Sequence, residues 1–366
     1  KINTFLKPLA GWSILDELQK DTEASQLEYT EFSQPLLFAV QVGLVEMLRA
    51  DGIDAEAVIG HSVGEVTAAY VCGALSLEDA VQVIYHRSKA QGKTKGNGKM
   101  LAIQLGAKES RVLLEEIDSD LELAAINSAN SITVAGLSAS VDDLIRLLNE
   151  RQIIYHELEL DYAFHSAIMD PVQNDFIENL QDYSAASPKL EFFSTVYGLK
   201  IENEILNADY WWDNVRKPVQ FESALSEMIE KDYRIFLEIG PHPVLQRYIR
   251  DGLRNKRKSG KVFHTLSRGN TDEEDNIKAT AFKTILSCND LDFDPYYSVP
   301  YKCVSLPPYP WDREEYIFPA TKEAVNKNYD SPLLGVQHNS IEGAWLNIID
   351  TAVQDYLADH VVGDTV

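Results

Sequence analysis

Cysteine is scarce: three residues in 366, Cys72, Cys288 and Cys303, are too few and too scattered for a disulfide framework or a thiolate metal site. No metal site is expected, and the three are read as buried thiols in a reducing, cytoplasmic setting. Basic residues are also few. Against 57 acidic side chains stand 33 lysines and arginines, a formal charge of −24 at pH 7. That balance argues against nucleic acid or an anionic membrane surface as the main partner, while allowing a local basic pocket for a phosphorylated ligand. No run approaches the ~20 apolar residues that cross a bilayer. No signal peptide is expected, no repeat or low-complexity tract is present, and the opening Lys1-Ile2-Asn3 is not a natural start, so the chain is expected to be part of something longer. What is present, 45% apolar and 25% charged residues, is the make-up of an ordinary globular protein with room for two or more domains.

Periodicity points to an α/β protein. Residues 33–50 carry Leu37, Val40, Leu44, Met47 and Leu48 at helical spacing, which predicts a core-facing helix. A short strand, Ala57-Val58-Ile59, runs into Gly60-His61-Ser62-Val63-Gly64, and a helix is expected from about Glu65 to Gly73. Ser76-Leu77-Glu78-Asp79 has capping-box spacing, with Asp in place of Glu or Gln, and opens another helix to about Gln91. Residues 99–161 then read strand, helix, strand, strand, helix, strand, the ferredoxin-like order. The expected architecture is a large α/β-hydrolase-like domain with a parallel sheet (1–98 and 162–255) and this small subdomain (99–161) inserted in it. Strands near Phe192–Tyr197 and Ile235–Ile239 would complete the large sheet. A solvated basic loop at Lys256-Arg257-Lys258 opens a looser stretch, 256–330. It includes the proline- and aromatic-rich residues 305–319, which can be neither regular helix nor central strand. Residues 331–366 are too short to fold alone.

The chemistry concentrates at Gly60-x-Ser62-x-Gly64. A strand, a tight turn with a serine at its apex and a helix form a nucleophile elbow, and the two glycines are expected to flank a turn too tight for Cβ atoms. The helix N-terminus behind Ser62 supplies N–H donors for developing negative charge. Such a serine needs a base. His61 is adjacent, but its side chain should point elsewhere. His165, where the chain re-enters the large domain after the insertion, is placed to face Ser62 across the cleft. On the helix from Leu77, the residues Ala80, Val83, Ile84 and Arg87 share one face, opposite Gln82, His86 and Lys89. An arginine in the middle of an inward stripe must find an anion: an internal carboxylate, or a bidentate substrate carboxylate.

With Gly60-His61-Ser62-Val63-Gly64-Glu65, Arg87 one helix later and Ala163-Phe164-His165-Ser166, the chain resembles the acyltransferase domains of type I polyketide synthases. It is similar, more distantly, to the malonyl transacylases of fatty-acid synthesis. The resemblance runs to about residue 320 and includes Ser33-Gln34-Pro35, Asn127 and Glu238-Ile239-Gly240-Pro241-His242-Pro243. It implies that Ser62 attacks an acyl-coenzyme A thioester and that His165 is base and then acid. Arg87 would hold the carboxylate of a malonyl unit, and the Val63 N–H would stabilise the oxyanion. A backbone carbonyl near 240–243 is expected to orient His165, with Gln34, Asn127, Tyr162 and Phe164 also at the substrate. The coenzyme A ester is a substrate, and no permanently bound cofactor is implied. The acyl group would pass to the phosphopantetheine thiol of an acyl carrier protein. Malonyl is expected over methylmalonyl: malonyl enzymes tend to carry His-Ala-Phe-His and methylmalonyl enzymes Tyr-Ala-Ser-His. This chain has the hybrid Tyr162-Ala163-Phe164-His165, in which Phe164 would crowd an α-methyl group. Family members also begin with a Gly-Gln-Gly-x-Gln segment that gives a second oxyanion N–H. It is not in this sequence, and one such donor is worth ~10²–10³ in rate.

Leu306-Pro307-Pro308-Tyr309-Pro310-Trp311 resembles the linker that follows such acyltransferases and packs toward the ketosynthase. Residues 331–366 resemble the opening of a hot-dog-fold dehydratase, with His360 where that family keeps its base. Neighbouring ketosynthase and dehydratase domains are therefore expected partners. Three alternatives stay open: a methylmalonyl-specific enzyme, a serine thioesterase or other hydrolase sharing the elbow, and a scaffold that docks neighbouring domains.

Overall fold

The computed structural model describes residues 1–288 except 22, 118, 119, 182 and 269–272. Beyond 288 it describes only Pro307, Leu334, Val336–Gln337 and 343–347. The chain divides into two compact units, Lys1–Pro300 and Tyr301–Val366. In the second, strand Val336–Gln337 pairs antiparallel with strand Trp345–Leu346. His360, Cys303, most of the proline-rich stretch and most of the dehydratase-like segment lie outside the described residues.

The first unit opens with α1 (Ile2–Ala10), α2 (Ile14–Leu18) and α3 (Thr30–Ala50). The α3 helix begins three residues before the expected stretch, and its inward face keeps Leu44 and Leu48 of the expected set but is rotated away from Met47. Gln34, Phe38, Val42, Val45 and Leu48 are buried, at spacings of four and three, while Met47 is 46% exposed. Strand β1 (Ala57–Ile59) leads to α4 (Gly64–Val71), and the chain leaves α4 through Gly73 at φ 77°. Helix α5 (Leu77–Gly92) has the expected cap, since the Ser76 hydroxyl accepts the Asp79 N–H at 3.1 Å and donates to its carboxylate at 2.6 Å.

The inserted unit contains β2 (Lys99–Ile103), α6 (Ala107–Ile117), β3 (Glu122–Ser128), β4 (Ser131–Gly136), α7 (Ser138–Glu150) and β5 (Tyr155–Glu157). Its antiparallel sheet has the order β3-β4-β2-β5. Side chains alternate by period two. Leu101, Ile103, Ile132 and Val134 pack with Val141, Leu144 and Leu148 of α7. Met100, Ala124 and Ala135 pack on Ala163, Phe164 and Ile168. The insertion is thus seated directly on the segment that carries His165.

A 3₁₀ turn (Ala167–Val172), α8 (Gln173–Glu178), β6 (Glu191–Ser194), β7 (Leu199–Lys200), α9 (Ala208–Arg216), α10 (Phe221–Glu230), β8 (Ile235–Glu238), α11 (Gln246–Asn255), β9 (Lys261–His264) and α12 (Glu273–Ile285) follow. Among the described residues the single parallel sheet expected of the large domain is two sheets. One is β1-β6-β7, parallel between β1 and β6; the other is the parallel pair β8-β9. Pairing with β8 draws residues 261–264, expected in the linker, into this unit. The core around α3, α4, α5, β1, β6 and α9 holds Phe38, Val66, Ile84, Phe192 and Trp211, all at most 1% exposed. Cys72 is buried, but Cys288, three residues past α12, is exposed, against expectation. No helix among the described residues is long and apolar enough to cross a membrane.

Candidate active site

Ser62 lies between β1 and α4 with φ 51°, the strained turn that an elbow requires. Only one of the two glycines explains it. A Cβ at Gly60 would fall 2.3 Å from the Glu65 backbone, so the turn folds back on α4 through a space that only glycine fits. A Cβ at Gly64 would meet nothing within 4 Å. Gly64 is the first residue of α4 and faces open space, so the expected two-sided crowding is one-sided. Gly60→Ala is therefore expected to cost ~1–3 kcal/mol, the usual range for overpacking, and to displace Ser62, whereas Gly64→Ala keeps native stability. Denaturant midpoints of the two variants check this, and equal losses would count against the contact.

The Ser62 Oγ is 2.8 Å from His165 Nε2, and His165 Nδ1 is 2.9 Å from the backbone carbonyl of Lys217. A carbonyl only accepts, so the network assigns the proton to Nδ1 and leaves the Nε2 lone pair toward the Ser62 hydroxyl. The ring is 3% exposed. Burial first, then the charges of Arg87 and His61, pull its pKa down to about 3, so it is neutral at pH 7. The orienting carbonyl is not in residues 240–243. Lys217 precedes Pro218, which forces it out of helical geometry to φ −81° and ψ 157° and turns its carbonyl away from α9. The Gly240 N–H and carbonyl are instead taken by the Thr265 hydroxyl at 3.0 and 2.9 Å.

Arg87 is 1% exposed on the face expected, with Ala80, Val83 and Ile84 also fully buried. It is not in a salt bridge with any described residue. Its Nε donates to Asn214 Oδ1 (2.9 Å), Nη1 to Gln34 Oε1 (2.5 Å) and Gln91 Oε1 (2.8 Å), and Nη2 to Ser62 Oγ (3.0 Å). Every partner is neutral, and one Nη2 hydrogen is left over. Burial lowers the guanidinium pKa to about 9, partly offset by Glu65, so it stays cationic at pH 7. Glu65, 0% exposed, is not its ion-pair partner. Its oxygens accept the Thr195 N–H (3.0 Å), the Thr195 hydroxyl (2.6 Å) and the Tyr210 hydroxyl (2.6 Å), tying α4 to β6 and α9. Burial raises the Glu65 carboxyl pKa.

Gln34 joins the site as expected, but Gln91, Asn214 and the Lys217 carbonyl do so without having been anticipated. Gln91 sits one turn after Arg87 on the same inward face, a spacing that could have revealed it. Its Nε2 is buried with no acceptor among the described residues. Asn214 also donates to the Ser62 carbonyl at 3.2 Å and is the polar member of a face otherwise made by Tyr210, Trp211 and Val215. Asn127 contacts His61 Nε2 (2.8 Å) and Thr133 Oγ1 (3.1 Å), not Ser62, His165 or Arg87. His61 accordingly points away from Ser62. The Tyr162 hydroxyl accepts the Thr30 N–H at 3.4 Å, and its ring stacks on Phe164 with centroids 4.9 Å apart. Thr30 in turn accepts from Gln34 Nε2, which links Tyr162 to Arg87. The Val63 N–H donates to no described residue. No group of His, Cys, Asp or Glu among the described residues is placed to hold a metal.

Comparison with known proteins matches residues 1–288 to the family described as "Acyl transferase domain". Mycoketide-CoA synthase of Mycobacterium tuberculosis is 32% identical over 97% of this chain, which spans 9% of that protein's length. The acyltransferase domain from module 8 of the salinomycin polyketide synthase superposes with a TM-score of 0.75 at 30% identity, over 80% of this chain and 69% of that one. A loading acyltransferase from the avermectin modular polyketide synthase gives 0.71 at 29% identity, over 77% and 89%. An elbow serine paired with a buried imidazole and an unpaired buried guanidinium, on a chain with these relatives, leads to one assignment: the chain belongs to the acyl transferase domain family, in its polyketide-synthase branch.

Proposed function

We propose that the chain transfers a malonyl group from coenzyme A to the phosphopantetheine thiol of an acyl carrier protein through an ester on Ser62. One observation carries the reading: a fully buried guanidinium with only neutral partners, 3.0 Å from the nucleophilic oxygen. A cation without an anion and, in the same cluster, a buried Gln91 donor without an acceptor suit a ligand that brings a carboxylate. His165 Nε2 takes the Ser62 proton as Oγ attacks the thioester carbonyl, and the Val63 N–H receives the oxyanion. Collapse expels coenzyme A, whose sulfur is protonated by the His165 imidazolium. In the second half the carrier thiol gives its proton to His165, attacks the ester, and Ser62 recovers its proton. The Lys217 carbonyl orients the ring in place of a triad carboxylate, unlike the Ser-acid-His order of α/β-hydrolases.

The large domain is hydrolase-like and the insertion ferredoxin-like in this reading, with residues 331–366 opening a dehydratase. The neighbouring domains and a cytoplasmic setting follow from membership of a synthase. Phe164, held by stacking on Tyr162, is the extender selector: its ring disfavours an α-methyl by ~1–3 kcal/mol, so malonyl wins with leakage. The test is transfer to a carrier protein with the two coenzyme A esters in competition. It uses the 366-residue chain, alone and with a Gly-Gln-Gly-x-Gln segment joined ahead of Lys1, and the Phe164→Ser variant of each. Malonyl should predominate, and the substitution should shift the ratio toward methylmalonyl. A parent that prefers methylmalonyl, or a ratio that Phe164→Ser leaves unmoved, overturns the selector.

A further inference from the structure

His165 is built by two separate stretches of chain, and both are held by one side chain from the insertion. The ring is carried by residues 163–167 and aimed by the carbonyl of residue 217, and the His165 N–H reaches the Val215 carbonyl at 3.2 Å. Glu122, the first residue of β3, accepts the Ala167 N–H on Oε1 at 2.7 Å. The same carboxylate takes Arg216 Nη1 on Oε2 at 2.8 Å and Arg216 Nη2 on Oε1 at 3.2 Å. Arg216 also donates through Nε to Asp170, in the 3₁₀ turn after His165, at 2.5 Å. Two residues beyond Lys217, the backbone is stitched to β3: Val219 N–H donates to the Ala124 carbonyl (2.9 Å) and Ile126 N–H to the Val219 carbonyl (2.8 Å). The edge of the inserted sheet therefore fixes both the ring and its orienting carbonyl.

We propose that Glu122 is a positioning residue for His165, acting across the two subdomains through Arg216 and the Ala167 N–H. The inference rests on the dyad reading above. The pair is partly exposed, with side chains 35% and 23% exposed, but it is bidentate and joined to Asp170, so its removal costs some stability as well as geometry, and the pH profile is the readout that separates the two. Placement matters to the reaction because a base displaced by a fraction of its hydrogen-bond length transfers a proton poorly, and small misplacements cost rate steeply. It also matters to the charge state of the ring. His165 faces the Arg87 guanidinium of α5, His61 and Ser62 of the elbow, and the Lys217 carbonyl, and it holds its low pKa only while packed among them. A ring released from the clamp regains water and returns toward the ordinary imidazole value.

The test is the pH profile of acylation by malonyl-coenzyme A in the 366-residue chain, with and without the joined Gly-Gln-Gly-x-Gln segment, read as maximal rate and half-saturating concentration. Glu122→Ala is expected to lower the maximal rate ~10-fold with half-saturation within about twofold, and to move the acid limb upward by about a pH unit. Glu122→Gln keeps one acceptor oxygen, on which the Ala167 N–H and Arg216 Nη2 can both converge, and loses the charge and the second acceptor that takes Arg216 Nη1. It should recover part of the rate, and it carries the test if the alanine variant does not fold. A rate that neither variant changes, or a loss that scales the profile without moving its acid limb, overturns the inference. His165→Ala is the separate control. If it acylates at the parental rate, the dyad reading itself fails; if it is inactive while Glu122→Ala is unimpaired, only the positioning role is lost.

Discussion

Ser62→Ala is expected to abolish acylation by malonyl-coenzyme A, by ~10⁴-fold or more, while leaving the protein folded. The Ser62 side chain is half-buried at the apex of its turn and is not part of the core, so no cavity opens on its removal. What disappears is the atom that bonds to carbon, together with its hydrogen bonds to His165 and Arg87. His165→Ala should cost a similar factor, and the double variant little more than either single one, since nucleophile and base act as a unit. Thiol release from malonyl-coenzyme A together with circular dichroism checks both halves of the expectation. Normal carrier loading by Ser62→Ala would end the acyl-serine reading.

Arg87→Ala is expected to separate substrates. With malonyl-coenzyme A the loss should be ~10²–10³-fold, because a charge-assisted pair in a buried site, whose loss would leave an otherwise uncompensated carboxylate behind, is worth ~3–4 kcal/mol. With acetyl-coenzyme A, which brings no carboxylate, the loss should be smaller or reversed. The substitution also strands the acceptor oxygens of Gln34, Gln91 and Asn214, which costs stability equally for both substrates. The ratio of the two rates is therefore the informative quantity. Arg87→Lys keeps the charge but loses the planar fork and the Asn214 contact, and should recover only part of the malonyl rate. Equal losses on both esters would assign Arg87 a structural role.

Ser62, His165 and Arg87 were legible in sequence for different reasons. The elbow is local: strand, glycine, serine and helix follow one another, so its geometry follows from its neighbours. Arg87 betrayed itself by periodicity, as a charge on a stripe otherwise apolar. His165 could be located only by topology, since 103 positions and a whole inserted fold separate it from Ser62. Less visible was whatever depends on backbone atoms or on polar side chains with ordinary identities. The Lys217 carbonyl has no residue signature beyond the proline that follows it, and Asn214 differs from a surface asparagine only in where α9 packs. The α3 face was read only in part: Leu44 and Leu48 are buried as expected, but Phe38, Val42 and Val45 fit a helical period as well as Leu37, Val40 and Met47 do, and tertiary packing buried the former. Gly64 was misread because a motif position need not have a steric cause.

The most direct measurement is peptide mass spectrometry after brief incubation with isotopically labelled malonyl-coenzyme A, followed by a chase with phosphopantetheinylated carrier protein. The peptide bearing Ser62 should gain a malonyl ester, absent in Ser62→Ala, and the label should leave it for the carrier thiol on the chase. Label lost to water before the chase would mark a hydrolase. Label absent from the Ser62 peptide, or carried on another residue, would contradict the acyl-serine account.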